Sequence, residues 1–249
     1  MKKNTKKIVT AAGIAAGTAA VASLYAYVTI KALIDTALDR EMPKVMEKAD
    51  KRISGEKSSD EFTNRMESAS ESLAVQPNET VEIIAHDGEK LVGHYFPCEK
   101  PERVIIAFHG WRSSWHRDFG MISDFWYKNN CSVLYVEQRG QNNSSGEYMG
   151  FGLTERFDCL DWLNWEIERC GSDIPVYLAG VSMGATTVLM AAGLQLPPNV
   201  HGIAVLHRPM RYGSILLRIT STFDSAYAVR LPTGCVVGKY RSAQRSIRR

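Results

Sequence analysis

Apolar and polar positions along the chain fall into blocks of changing period. Ile8 to Ile30 runs 23 residues without a charge, the length of one membrane-spanning helix. From Ala32 to Ile53, Leu33, Ile34, Ala37, Leu38, Val45 and Met46 keep near-helical spacing, which predicts an amphipathic helix kinked at Pro43. Ser54 to Ser59 reads as a polar linker. Asp60 is positioned to cap a second helix reaching about Leu73, and Gln76-Pro77-Asn78 ends it. The period then shortens to two. Val81 to Ala85 and Leu91 to Phe96 alternate around His86-Asp87-Gly88-Glu89, a hairpin pattern. Arg103 to Phe108 and Ser132 to Val136 are continuous apolar runs, as expected of strands covered on both faces. Between and after them lie helical patterns over Asp118 to Lys128 and from a Thr154 cap to Arg169. Pro175 to Ala179 is a further strand, Ala185 to Leu194 an alanine-rich helix, and Val200 to Ala204 a short strand. Strands alternating with helices predict an α/β fold with a mostly parallel sheet.

These blocks divide the chain into an N-terminal membrane anchor (1–30), a helical stalk or linker (31–77), an α/β core (78–204) and a tail (205–249). Lys2, Lys3, Lys6 and Lys7 precede the uncharged run. Basic residues stay on the cytoplasmic side, so a single-pass protein with its α/β domain outside the cytoplasm is expected. A cleaved signal peptide is the rival, because Ala20-Val21-Ala22 before Ser23 resembles a cleavage site. The apolar run continues past that site to Ile30, which favours the uncleaved anchor.

Charge changes the picture at the other end. The whole chain is +3, but the segment from Val205 carries eight Arg, one Lys and the single acid Asp224. A basic tail can bind nucleic acid or anionic lipid, yet no nucleic-acid partner is expected for an extracytoplasmic domain. The five cysteines, Cys98, Cys131, Cys159, Cys170 and Cys235, include no C-x-x-C pair. Neither a disulfide framework nor a zinc site is suggested.

The candidate chemistry centres on Gly180-Val181-Ser182-Met183-Gly184. The pattern G-x-S-x-G between a strand and a helix is the context of a nucleophile elbow. A turn tight enough to expose Ser182 leaves no room for a Cβ at Gly180 or Gly184. The serine then lies at a helix N-terminus, which favours developing negative charge. Acyl transfer also needs two N–H groups aimed at an oxyanion. One is expected from Met183, the other from Trp111 in His109-Gly110-Trp111, which follows the strand Arg103 to Phe108. His109 is expected to shape that loop by hydrogen bonding rather than act as a base.

With these residues the chain resembles the α/β-hydrolase superfamily, and within it the membrane-anchored bacterial α/β-hydrolases of unassigned substrate. The resemblance is carried by His109-Gly110-Trp111, the stretch Glu137-Gln138-Arg139-Gly140-Gln141-Asn142-Asn143-Ser144, Gly150-Phe151-Gly152 and the elbow. Most relatives have Asp where Glu137 stands. The resemblance covers about Glu79 to Ala204 and implies hydrolysis of a small-molecule ester, thioester or amide through an acyl-enzyme on Ser182. It implies no metal and no organic cofactor.

The resemblance implies two more strands, the first followed by a catalytic Asp and the second by a catalytic His. After Ser182 the only histidines are His201 and His207 and the only acid is Asp224, so the order Ser, acid, His is not met. His201 starts a strand, at the wrong end of a sheet for a base. The tail is therefore expected to be an aberrant segment produced by a shift of reading frame near Ala204. Codons can be chosen for Ala204 to Ile215 that give a family-like continuation one base earlier. Two further readings stand beside an unactivated serine hydrolase: a non-catalytic truncated product and a membrane-tethered binding module.

Overall fold

The computed structural model describes residues 2–41 and 61–206. The kink at Pro43, the linker 54–59, the Asp60 cap, His207, Asp224, Cys235 and the tail beyond Leu206 lie outside the described residues. Six strands form one mixed sheet: β1 (Glu79–Ile84), β2 (Lys90–Phe96), β3 (Arg103–Phe108), β4 (Cys131–Glu137), β5 (Val176–Val181) and β6 (Val200–Leu206). Their spatial order is β1-β2-β4-β3-β5-β6. The hairpin β1–β2 is antiparallel, and β2 runs antiparallel to β4. The neighbours β4–β3, β3–β5 and β5–β6 are parallel. This is an α/β arrangement, as expected, with helices on both faces of the sheet.

The helices are α1 (Lys2–Leu38), α2 (Glu61–Ala74), α3 (Trp115–Lys128), α4 (Glu155–Cys170) and α5 (Met183–Ala191). Successive residues of a strand point to opposite faces, and the core divides accordingly. Val104, Ile106 and Phe108 of β3 join Leu134, Leu178, Trp162 and Val188 on the face covered by α4 and α5. Ile105 and Ala107 join Tyr135, Trp115, Phe119 and Leu73 on the face covered by α2 and α3. Both faces of β3 are thus dry, which explains its uninterrupted apolar run.

Four expectations need correction. First, the helical pattern of 32–53 is not one helix from Ala32. Residues up to Leu38 continue α1, and Asp39 leaves the helix to form a β-bridge with Tyr148. The backbone of 38–40 finds partners in the loop after β4: Met149 N–H donates to Leu38 O, and Arg40 N–H donates to Glu147 O. Second, 61–74 is not a stalk. Leu73 is buried in the core, and α2 lies against α3 so closely that a Cβ on Gly120 would meet the backbone of Ala69 at 2.7 Å. Third, β6 extends two residues beyond Ala204, because Val205 and Leu206 continue the ladder opposite Gly180 and Val181. Fourth, Thr154 makes no side-chain cap on α4. The carboxylate of Glu155 instead holds the preceding loop, accepting the N–H groups of Gly150 and Gly152.

Candidate active site

Ser182 lies between the C-terminal end of β5 and the first residue of α5. Its φ is 51° and ψ −111°, a left-handed conformation that is costly for a residue with a Cβ. The flanking glycines make it possible. A Cβ on Gly180 would meet Gly184 O at 2.2 Å, and one on Gly184 would meet Phe108 O at 1.9 Å. The side chain of Ser182 is exposed, and its hydroxyl has no hydrogen-bond partner among the described residues. Met183 opens α5, so its N–H has no intrahelical acceptor.

The loop after β3 faces this serine directly. A Cβ on Gly110 would stand 3.4 Å from the Cβ of Ser182. Most polar groups of the loop are committed. Gly110 N–H donates to Asp118 Oδ2 at 2.7 Å, and Ser113 Oγ donates to Asp118 Oδ1 at 2.8 Å. Arg112 N–H donates to Gln141 Oε1 at 2.6 Å, and Ser113 N–H donates to Gly110 O. The N–H of Trp111 has no partner among the described residues.

His109 is fully buried. Its Nδ1 donates to Gly110 O at 2.8 Å, which fixes the tautomer. Nε2 then accepts from Gln138 N–H and from Asn142 Nδ2, each at 3.2 Å. Burial holds the imidazole below its ordinary pKa, so it stays neutral.

The stretch Glu137 to Ser144 braces the loop from beneath. Gln138 Nε2 donates to His109 O, and Gln138 Oε1 accepts from Thr187 Oγ1 of α5 at 2.7 Å. Arg139 pairs with the buried Asp158 and with Asp87 of the hairpin turn. Burial raises the Asp158 carboxyl above its ordinary range, against the pull of Arg139. Glu137 accepts from His94 Nε2 at 2.9 Å and from Asn143 N–H. Burial pushes its carboxyl up, but these hydrogen bonds outweigh that and hold it below the ordinary value. His94 also stacks on Trp115, ring centroids 4.4 Å apart.

The end of α1 closes the other side of the loop. Trp111 Nε1 donates to Ala37 O at 2.9 Å. The Arg112 guanidinium donates to the main-chain oxygens of Thr36, Asp39 and Arg40. Arg40 in turn donates to Ser144 O at 2.6 Å and Asn142 O at 2.7 Å. Two like-charged side chains thereby cross-link α1, the loop after β3 and the loop after β4.

The structure thus brings together Ser182, Met183, Gly110 and Trp111, with Gly180, Gly184 and His109 supporting them. His201 is at the start of β6, the far end of the sheet from Ser182. Gln141 was marked only as part of the stretch Glu137 to Ser144, and Asp118, Thr187 and Arg112 escaped the sequence reading. Their partners are distant in the chain, and no local pattern marks them. His86, Asp158 and Asp161 bring ligand-type atoms within 4.8 Å of one another. Asp158 is already paired with Arg139, and His86 bonds Asp161, so these charges are spent on each other.

No protein-family model and no curated protein matches the chain. Among solved structures it is similar to an esterase of Pyrococcus furiosus, with 26% identity, 47% of this chain and 46% of that chain covered, and a TM-score of 0.42. An α/β-hydrolase of Penicillium sp. sh18 shares 21% identity over 52% of this chain and 45% of that chain, with a TM-score of 0.47. A serine hydrolase of Xanthomonas campestris described as having no lid shares 19% identity over 47% of this chain and 56% of that chain, with a TM-score of 0.41. The chain spans about half the length of each.

Proposed function

We propose that the chain, with its α/β-hydrolase core, is a membrane-anchored serine hydrolase acting on an ester, thioester or amide through an acyl-enzyme at Ser182. One observation carries the reading. An exposed serine in a left-handed elbow faces a loop in which the neighbouring N–H groups are occupied and that of Trp111 is free. In this reading the substrate carbonyl oxygen takes the N–H groups of Met183 and Trp111 as negative charge develops on it. Gly110 leaves space beside the serine for the scissile group. Asp118 and Gln141 hold the loop still, so the donors need not reorganise during reaction.

Activation is the second part of the proposal. A serine hydroxyl is a weak nucleophile until a base oriented by a third group takes its proton. No histidine or carboxylate bonds Ser182 Oγ among the described residues, and Asp118 is already engaged by Gly110 and Ser113. That observation favours a serine positioned but not activated in this chain. The anchor is α1. Its residues Gly17–Leu38 are long and apolar enough to cross a membrane, and none of that stretch is buried. With the four lysines inside, the domain lies outside the cytoplasm.

A fluorophosphonate probe tests the activity. The full chain is expected to label Ser182 slowly or not at all, and a gene with the reading frame restored after Ala204 should label it rapidly. Labelling of the 249-residue chain at the rate of an active esterase, lost in Ser182→Ala, would show that a base is present and refute the unactivated state. Absence of labelling from both genes would refute the hydrolase reading itself.

A further inference from the structure

The ties of Trp111, Arg112 and Arg40 at the end of α1 form a clasp, and the loop that follows it is apolar and exposed. It runs from Tyr148, bridged to Asp39 at the end of α1, to Leu153, next to the start of α4. Between them Gly152, at φ 95°, packs so close to α5 that a Cβ would meet Thr186 and Met190. Thr186 N–H donates to Ser182 O. The loop therefore bridges the end of α1 and the first turns of the helix that begins at the serine. Its outward side chains are large and apolar: Tyr148 is 58% exposed, Phe151 37% and Leu153 61%. Leu33 and Ile34 of α1 are exposed as well.

Water-facing apolar clusters of this kind mark an interaction surface, and α1 indicates the partner. If residues 8–30 occupy the bilayer, Lys31 is the first charged residue outside it, ion-paired with Asp35 at 2.9 Å. The clasp on Ala37 begins six residues later, and at 1.5 Å rise per residue the loop beside Ser182 is held about 10 Å from the hydrocarbon edge. The headgroup region is about 5–8 Å thick on each side, so the loop stands at its outer edge, where large side chains reach into it. The clasp leaves α1 little freedom to swing the domain away, because both sides of the helix end are tied.

We infer that Tyr148, Phe151 and Leu153 rest in the headgroup layer of the bilayer that α1 crosses, and that the site takes the ester of an amphiphile residing in that bilayer. The surface rests on the anchor reading above and the substrate class on the serine-hydrolase reading. An acyl chain then stays among lipid tails while its ester rises to Ser182 between the loop after β3 and the loop 148–153. The reaction is ordinary acyl transfer: Ser182 Oγ forms a bond to the acyl carbon, the alcohol leaves with a proton, and water releases the acid. Water is the sole co-reactant.

The test uses the full chain in phospholipid nanodiscs. Cysteines introduced singly as Tyr148→Cys, Phe151→Cys and Leu153→Cys carry an environment-sensitive fluorophore, with the parent chain's labelling subtracted. Tyr127→Cys is the control. Tyr127 is 75% exposed in the last turn of α3, close before β4 begins and at the opposite end of the sheet from Ser182. All four sites are exposed, so the substitutions leave the fold intact. Nitroxide lipids should quench the three loop sites at least threefold more than the control, and aqueous iodide should quench the control more. Equal lipid quenching of loop and control overturns the inference. So does protection of the loop from both quenchers, which would mean that the chain itself covers it. A second arm compares labelling of Ser182 by a long-chain alkyl fluorophosphonate in the nanodisc with a water-soluble one. At least tenfold faster reaction of the lipid-borne probe is expected, and equal rates overturn the amphiphile class. If neither probe reacts, even with the reading frame restored, the hydrolase reading fails and takes the substrate with it. The quenching arm still decides the surface.

Discussion

Nη2 of Arg112 donates to the main-chain oxygen of Asp39 at 2.6 Å, across 73 residues of sequence. The residue beside the free Trp111 N–H is therefore tied to the end of the first helix. Arg112 also has a left-handed backbone, with φ 49°, so the tie holds a conformation the chain would not otherwise favour.

Arg112→Ala should loosen this end of α1. Hydrogen bonds from a charged donor contribute about 1.5–3 kcal/mol. Losing the guanidinium should cost about 2 kcal/mol, or a Tm drop of about 4–8 °C for a chain of this size. Amide exchange at residues 36–41 should accelerate. Arg112→Lys should recover only part, because an ammonium cannot span several carbonyls as the planar fork does. Unchanged exchange in Arg112→Ala would contradict the clasp.

The glycines should separate sharply by position. Gly184→Ala drives a Cβ to 1.9 Å from Phe108 O, and backbone cannot step aside as a side chain can. We expect a loss above about 4 kcal/mol and insoluble protein. Gly88→Ala meets nothing within 4 Å and bears only its φ of 94°, so a loss of about 1 kcal/mol is expected. Thermal unfolding of the two variants measures the difference.

Ser182→Gly should stabilise the protein. Backbone strain of this type costs about 1–3 kcal/mol, and glycine adopts φ 51° freely. A higher Tm with no covalent labelling is expected, whereas Ser182→Ala should leave the Tm near that of the parent. A lower Tm for the glycine variant would mean that the elbow is not strained.

Glu166 should give a pH slope. It is 1% exposed, and both carboxylate oxygens lack hydrogen-bond partners among the described residues. Burial pushes its pKa up to about 7, against smaller opposing effects of Cys170 and Arg169. An unfolded Glu titrates near 4.5. Between these two values the folded state keeps a proton that the unfolded state has released. Stability therefore falls as pH rises through this window and levels off above it, by about 3 kcal/mol in total. Glu166→Gln should abolish the slope and be the more stable protein at pH 8. Denaturant unfolding between pH 4.5 and 8 would reveal it, and an identical slope in the variant would exclude Glu166 as its source.

How much of this was legible in the sequence depends on the range of the interaction. The hairpin around Gly88, the dry strand Arg103–Phe108 and the elbow follow from local periods and from steric rules for glycine, and all are visible in one pass. The packing of 61–74 on the core was not legible because Leu73 and Gly120 meet their partners only in the folded chain. Small residues such as Ala69 carry no sign that a helix will lie against them. Asp118 and Arg112 were missed for the same reason: each serves a loop or helix elsewhere in the chain. Thr154 misled because a residue type suited to capping stands before α4 without making the cap hydrogen bond.

The locked imidazole of His109 has a bearing on kinetics. With Nδ1 committed to Gly110 O and burial keeping the ring neutral, it is a spectator to titration near neutral pH. An inflection at or above the ordinary imidazole range in a rate profile must then come from another group, and replacing His109 would alter amplitude without moving that midpoint. The unfolded chain, by contrast, takes up a proton there below about pH 6.5. Acid thus acts on this residue through refolding equilibria, and a slow loss of signal at low pH would report denaturation rather than protonation of a working base.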